Sequence, residues 1–303
     1  MNSKIIIISI ITPIYNSANF LASLIDTIKA QTHEYWECIL VDDGSTDSSF
    51  QLAKAYAKED SRIKVFQQVN KGPMAARALG FSKSTGQYIQ FLDADDTLHP
   101  TKIEQCLAAI NQTPEGVYTG FHFVESTTNT KFIEPWRRVQ LQENPFLDLI
   151  LNWEKDLIIP IHSFLFRRNI IENFFQNENP FQTHEDWDMH LNFASNNYRF
   201  TFINEPLAFY HIYPESNSRR NLTISKKDTL NVLAKYYSLT PTYRKPIRKR
   251  YYDYIAIFCA QKLKGQLFDW KILFSNKMPY IVRLIGILTS PYHIFKFVLT
   301  RKK

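Results

Sequence analysis

Residues 87–96 read Gln87-Tyr88-Ile89-Gln90-Phe91-Leu92-Asp93-Ala94-Asp95-Asp96, an apolar strand pattern that runs directly into three carboxylates. Asp is depleted in strands, and like charges this close repel, so the pattern calls for a positive partner at the strand's end. Along an extended chain Asp93 and Asp95 face one side, Ala94 and Asp96 the other. Two hard oxygen ligands converging at a strand end suit Mg²⁺ or Mn²⁺, which bind one or two carboxylates together with a substrate's phosphates. The competing reading is an acidic turn that caps the helix expected after Pro100.

Outward from this stretch, the first hundred residues alternate strand and helix. Strands are expected over 5–12, 37–41, 63–67 and 87–92, and helices over 18–31, 48–58 and 73–82. Such alternation implies βαβ units and a parallel sheet, in which ligands bind outside the carboxyl ends of the strands. Polar clusters stand at those ends: Thr12 to Asn16, Asp42 to Asp47, and Asp93 to Asp96. After Pro100 the rhythm weakens. Residues 117–125, 200–203 and 207–213 look like strands, and 146–153, 169–175, 186–195, 226–239 and 244–263 look helical.

Composition narrows the function classes. The 303 residues include eight glycines and no G-x-G pair, which excludes a dinucleotide fingerprint. Residues 80–86 do not match a phosphate-cradling P-loop, so a bound diphosphate needs a cation, and that points again to the carboxylates. The three cysteines, Cys38, Cys106 and Cys259, are far apart, which argues against a disulfide framework or zinc site and suits a reducing compartment. The uncharged run 5–25 is interrupted by Pro13, Asn16, Ser17 and Asn19, and its strongly apolar part, Ile5–Ile11, reads as a buried strand, not as a span or signal peptide.

Taken in order, Ser9-Ile10-Ile11-Thr12-Pro13-Ile14-Tyr15-Asn16, Ile39-Leu40-Val41-Asp42-Asp43-Gly44-Ser45-Thr46-Asp47, Asn70-Lys71-Gly72 with Ala76-Arg77 and Gly80, Phe91 to Asp96, and Glu185-Asp186-Trp187 share one feature. Their order and spacing resemble those of glycosyltransferase family 2, over roughly residues 5–215. The resemblance implies an α/β, GT-A (Rossmann-like) fold: a central, mostly parallel sheet flanked by helices. It also implies transfer of a sugar from a nucleotide-diphosphate sugar, a UDP-sugar by family association, with inversion at the anomeric carbon. The domain expectation is a catalytic domain over 1–218, split into a nucleotide-binding half (1–99) and an acceptor half (100–218), with a basic, mainly helical extension over 219–303.

The resemblance implies roles residue by residue. Asp93-Ala94-Asp95 matches the family's D-x-D element, with Asp95 on a divalent metal (Mn²⁺ or Mg²⁺) and Asp93 on the donor's ribose or the metal shell. Thr12, Pro13, Tyr15 and Asp42 match positions that embrace the nucleoside, and Lys71, Gly72 and Arg77 match the loop beside the base. For Arg77 the competing reading is a snorkelling surface arginine. Asp43 joins the donor-binding set by position, while Asp43 and Asp47 also suit turn and N-cap roles. Asp186 is implied as general base, the single carboxylate that direct displacement requires. Glu185 and Asp186 equally suit the first turn of a helix. The chain departs from the family where an aromatic-Arg pair is common: it has Tyr210-His211, followed by Ser216 to Arg220. There His211 could ligate the metal, and Arg219 or Arg220 could take the cationic role.

Charge divides unevenly. Residues 1–218 hold 17 Lys/Arg and 26 Asp/Glu, whereas residues 219–303 hold 19 and 3, a basic tail on an acidic body. Cations at 244–250 and the apolar, aromatic and basic residues of 277–303 suit contact with an anionic membrane surface. The expectation is a cytoplasmic protein of bacterial surface-polysaccharide synthesis, peripheral on the inner face of the membrane, with a glycan or lipid-linked acceptor. No nucleic-acid reader motif accompanies the basic tail. Two other classes are weighed against the enzyme: a non-catalytic carbohydrate-binding or scaffold protein, and a sugar-nucleotide nucleotidyltransferase. The intact Asp93, Asp95 and Asp186 count against the first. The second calls for a Gly-rich, cationic loop where Pro13-Ile14-Tyr15-Asn16 stands.

Overall fold

The computed structural model describes residues 5–110, 115–125, 131–135, 137–176, 181, 183–213 and 222–263, with side chains of the last two helices over 227–255. The chain forms two compact units. The first comprises Met1–Gln140, Asp156–Pro180 and Asn192–Ser216; the second comprises Leu141–Lys155, Phe181–Leu191 and Asn217–Lys303. The second unit therefore draws in residues 141–155 and 181–191 as well as the chain after 217, whereas the sequence suggested a single cut near 218. Segment 277–303 lies outside the described residues, and no helix among those described is long and apolar enough to cross a membrane.

The first unit is built on a nine-stranded sheet. In chain order the strands are β1 (Ile8–Ile14), β2 (Trp36–Asp42), β3 (Ile63–Gln67), β4 (Tyr88–Phe91), β5 (Thr97–Leu98), β6 (Gly116–Glu125), β7 (Lys131–Ile133), β8 (Phe164–Arg167) and β9 (Phe200–Ile212). Their spatial order is β3-β2-β1-β4-β8-β6-β9-β5, with β7 on β6. The first four are parallel. β8 then pairs antiparallel with both β4 and β6, so the sheet is mixed.

Helices α1 (Leu21–Lys29), α2 (Ser49–Glu59) and α3 (Pro73–Lys83) connect the parallel strands. α1 buries Leu21, Leu24, Ile25 and Ile28, the one-face spacing of an amphipathic helix. α3 starts at Pro73, whose fixed φ and missing N–H suit a first helical position. It approaches the sheet at Gly80, where a Cβ would lie 2.5 Å from Ile11 Cγ2. Helices α4 (Lys102–Ala109) and α6 (Arg168–Phe175) follow β5 and β8.

Three differences from the sequence reading have physical causes. β1 begins at Ile8, not Ile5, because its partners begin at Trp36 and Tyr88; Ile5, Ile6 and Ile7 are exposed. β9 is one strand across Asn204-Glu205-Pro206 because the register slips opposite Thr119-Gly120-Phe121. A Cβ at Gly120 would sit 2.9 Å from Glu205 O, so that irregularity needs glycine. The short strand Phe164–Arg167 escaped the pattern because both its faces are covered. Phe164 and Phe166 are stacked at 5.0 Å, and Phe91, Phe193 and Phe200 pack around them. Each such ring contributes about 1.5–3 kcal/mol on burial.

The second unit is helical: α5 (Pro145–Asn152), α7 (Glu185–Ser195, its residues up to Leu191), α8 (Leu222–Leu239) and α9 (Arg244–Leu263). Trp187 anchors it, stacking on Trp153 at 6.4 Å and donating from Nε1 to Leu149 O at 3.0 Å. Asp188, fully buried, accepts from Lys235 Nζ at 2.7 Å, and Tyr236 Oη donates to Asp188 O. Thus Trp187 and Asp188, directly after Glu185-Asp186, tie this helix into the unit.

Candidate active site

In the first unit, β1, β2 and β4 lie side by side and parallel, so their carboxyl ends deliver Thr12 to Ile14, Asp42 and Asp93 to one edge. Thr12 and Asp42 are both fully buried. Asp42 Oδ2 accepts from Ser45 N at 3.2 Å and Gln67 Nε2 at 3.0 Å. Asp42 Oδ1 and Thr12 Oγ1 are buried with no hydrogen-bond partner. A buried polar atom left unpaired costs about 1–3 kcal/mol, and two on neighbouring strand ends mark a place for an outside donor and acceptor. Tyr15 is 46% exposed just beyond them, and Pro13 is half-buried.

Asp43 has a different occupation. Its Oδ1 accepts from Gln68 Nε2 and Lys71 N, and its Oδ2 from Gly72 N, all at 2.8 Å. It therefore fixes the 70–72 loop, leaving the Lys71 side chain exposed and Gly72 half-buried at the start of α3. Asp47 accepts from Ser49 N and Ala18 N, tying the start of α2 to the segment after β1.

Arg77 is not a snorkelling surface residue. It is 3% exposed, and its Nη2 donates to Asp93 Oδ1 at 2.6 Å. The turn after β4 closes with Asp96 N donating to Asp93 O at 3.1 Å. Ala94 is buried in this turn, while Asp93 and Asp95 are partly exposed. Burial, together with the charges of Asp96 and Asp93, pushes the Asp95 carboxyl up to about 7.

Asp96 does not cap a helix, since α4 begins at Lys102 after Thr101. Its Oδ2 pairs with His162 Nδ1 at 3.0 Å, and its Oδ1 accepts from His211 N at 2.9 Å. His162 is buried and stacks on Tyr210, and its Nε2 has no partner. The His211 ring meets Thr97 Oγ1 through Nε2 at 2.9 Å. Burial lowers the His211 pKa, the Asp96 charge opposing. His162 was not found from sequence; a lone histidine in Pro160-Ile161-His162-Ser163 gives no spacing signal. Ser216 to Arg220 lie outside the described residues.

The donor set fits a hard divalent cation. Asp95 and Asp93 offer carboxylate oxygens within one turn, with Asp96 beside them. Among the described residues no group of three or more His, Cys, Asp or Glu is placed to hold a metal ion. A cation here would therefore share its coordination with a phosphate ligand and water.

In the second unit Asp186 stands in the first turn of α7, partly exposed. Burial, and then the charge of Glu185, raises its carboxyl to about 7; His184 and the Trp187 N–H at 2.7 Å oppose that, and Glu154 adds to it. His184 Nδ1 lies 3.7 Å from Glu154 Oε1, and Nε2 lies 3.0 Å from Thr229 Oγ1. Neither Glu154 nor His184 was singled out from sequence.

Comparison with known proteins agrees with this architecture. A model of glycosyl transferase family 2 matches residues 9–175. An uncharacterized glycosyltransferase of Rickettsia conorii is 46% identical over 97 residues, which cover 32% of this chain and 16% of that protein. The chain thus spans about a sixth of that relative's length. The glycosyltransferase GlyG of Streptococcus pneumoniae is 28% identical over 243 residues, covering 77% of this chain and 80% of the other. Among solved structures, residues 1–349 of S. aureus TarS in complex with UDP-GlcNAc align with a TM-score of 0.60 at 15% identity, over 95% of this chain and 88% of that one. The mannosyltransferase PcManGT of Pyrobaculum calidifontis, in complex with GDP-Man and Mn²⁺, aligns with a TM-score of 0.58 at 13% identity, over 94% and 87%. The fold is that of the GT-A glycosyltransferases, and the chain belongs to glycosyl transferase family 2.

Proposed function

We propose that this protein is an inverting glycosyltransferase that moves a sugar from a UDP-sugar to a hydroxyl of a glycan or lipid-linked saccharide in bacterial surface-polysaccharide synthesis. The observation that supports it most is the pair of unpartnered buried atoms, Thr12 Oγ1 and Asp42 Oδ1, at adjacent strand ends. A pyrimidine offers what they lack: an N–H for the Asp42 carboxylate and a carbonyl for the Thr12 hydroxyl. Tyr15 would supply an exposed ring to stack on the base, with Pro13 beside it, and Lys71 and Gly72, in the loop held by Asp43, would contact the base from that loop. Arg77 acts through Asp93, holding that carboxylate toward the donor's ribose or the metal shell.

Asp95 and Asp93 would hold Mn²⁺ or Mg²⁺. Such an ion neutralises charge on the departing diphosphate. His211 becomes a ligand only by giving up Thr97. Asp186, ionised, takes the proton of the acceptor hydroxyl as that oxygen bonds to the anomeric carbon. The bond to the diphosphate breaks on the opposite face, so the configuration inverts. A carboxyl near 7 suits this role, because a base works best with its pKa near the working pH. Arg244, Lys245, Arg248 and Lys249, all exposed on the first turns of α9, suit contact with anionic lipid headgroups on the cytoplasmic face.

A thermal-shift panel of UDP-, GDP- and dTDP-sugars, each with Mn²⁺, Mg²⁺ or chelator, tests the donor site. One UDP-sugar is expected to stabilise the protein only with metal. Asp95→Ala should abolish the shift, and Asp42→Ala should reduce it. Stabilisation that survives chelation, or that ignores both substitutions, contradicts the reading.

A further inference from the structure

Asp96 follows the two carboxylates assigned to a cation, yet it is itself turned away from solvent, 3% exposed. Three contacts make it the fixed point of the turn. Its N–H donates to Asp93 O at 3.1 Å, its Oδ1 accepts from His211 N on β9 at 2.9 Å, and its Oδ2 lies 3.0 Å from His162 Nδ1. The first two use backbone N–H groups, which almost any residue supplies. The third needs one particular side chain, brought in by the short 3-10 turn Ile161–Ser163 ahead of β8.

That 3-10 turn is held by buried polar groups. Gln90 Nε2 on β4 donates to His162 O at 2.9 Å, and Lys102 Nζ at the start of α4 donates to Ser163 O at 3.0 Å. Both side chains are fully buried, and burying an amide or an ammonium is unfavourable unless its hydrogen bonds are made. Tyr210 stacks on the imidazole at 6.0 Å, with 27° between the rings. The ring is buried, and its Nε2 has no hydrogen-bond partner. The proton therefore belongs on Nδ1, where the Asp96 carboxylate accepts it, and the contact needs no charge on the ring. All of these residues lie in the first unit.

We propose that His162 is a positioning residue for the cation site: by donating from Nδ1 to Asp96 it fixes the turn that carries Asp93 and Asp95 and, through Asp96, the backbone at His211. This rests on Asp93 and Asp95 holding the cation. Arg77 fixes one carboxylate of the turn directly. His162 fixes the peptide path between the ligands, because Asp96 also closes the turn onto Asp93 O. The arrangement is that of the outer shell of a metal site, where hydrogen-bonded neighbours orient the ligands and their loss weakens metal binding about 10–100-fold.

Calorimetric titration of UDP into the full chain, once with Mn²⁺ and once with chelator, tests this. Mn²⁺ should raise the UDP affinity of the wild type. His162→Leu removes the donor and should weaken the affinity measured with Mn²⁺ about tenfold or more. The affinity in chelator should stay the same, since Thr12 and Asp42 are untouched. His162→Asn places an amide nitrogen near the position of Nδ1 and should restore most of the Mn²⁺-dependent gain. His162→Gln places its amide near the position of Nε2 and should not. Asn and Gln variants that weaken alike, or a loss equal in chelator, mark a packing role and overturn the proposal. A gain kept in full by His162→Leu also overturns it and leaves Asp93 and Asp95 as ligands, whereas a wild type indifferent to Mn²⁺ removes those ligands and the proposal together. Should the variants fail to fold, ¹⁵N NMR of the metal-free wild type decides: a proton on His162 Nδ1 supports the proposal, and a proton on Nε2 alone overturns it.

Discussion

Replacing Glu37 by Gln gives a direct measure of how the parallel half of the sheet is fastened. Glu37 lies on β2 with its side chain 7% exposed. Its Oε1 accepts from Ser9 Oγ at 2.7 Å, Thr85 Oγ1 at 3.0 Å and the backbone N–H groups of Thr85 and Gly86; Oε2 accepts from Lys64 Nζ at 2.7 Å. One carboxylate thus ties β1, β2, β3 and the turn before β4. Burial alone would raise its pKa, but the Lys64 ammonium and these donors outweigh it, holding the carboxyl at about 2 against an ordinary 4.5. A pKa lowered in the folded state stabilises the fold fully above 4.5 and progressively less as pH falls toward 2. The shift corresponds to about 3 kcal/mol at pH 7, falling to about 1.5 kcal/mol by pH 3. Gln resembles the protonated acid, so Glu37→Gln should cost about 3 kcal/mol at pH 7 and about half that at pH 3. Urea unfolding of both proteins at pH 7, 4 and 3 measures this. A loss below about 0.5 kcal/mol at neutral pH, or one equal at all three, refutes the argument.

Three further outcomes follow from the packing and the site. Arg77→Met leaves Asp93 without its charged donor and should weaken metal-dependent UDP-sugar binding about tenfold or more in calorimetry; unchanged affinity would make the pair structural only. Gly80→Ala drives a methyl onto Ile11, and chemical denaturation should show about 1–3 kcal/mol lost. A neutral result there would mean α3 shifts freely on β1. Trp187→Phe removes the Nε1 hydrogen bond to Leu149 O and part of the Trp153 stack, costing about 1–3 kcal/mol by the same measurement; no loss would show that the unit does not depend on that anchor.

The first hundred residues were legible because local pattern and global topology agree there. Each strand is a short apolar run, each helix has one buried face, and each polar cluster falls at a strand end. Strand β3 and helix α3 lie where the periodicity puts them, within a residue. The rest was less legible for identifiable reasons. β8 and β9 are defined by long-range pairing: Phe164–Arg167 has no alternation to read, and the register shift that carries β9 through Pro206 falls at Gly120 on another strand. The second unit is assembled from three stretches of chain, so the charge shift near residue 218 marks only the last of them.

In the site, Asp42, Asp93 and Asp95 carry a sequence signal because carboxylates are out of place at strand ends. Asp43 carries the same signal for another purpose, the hold on Lys71 and Gly72. Arg77, His162 and Glu154 acquire meaning only from their partners at Asp93, Asp96 and His184, and partnership across the fold leaves no local trace.

The central claim is transfer from a UDP-sugar with Asp186 as the base. It is tested most directly by measuring UDP release and donor binding side by side for the wild type and Asp186→Asn at saturating UDP-sugar and Mn²⁺. The account predicts unchanged donor affinity with release slowed about 10²–10⁴-fold. Release at the wild-type rate, or loss of donor binding along with activity, would contradict it.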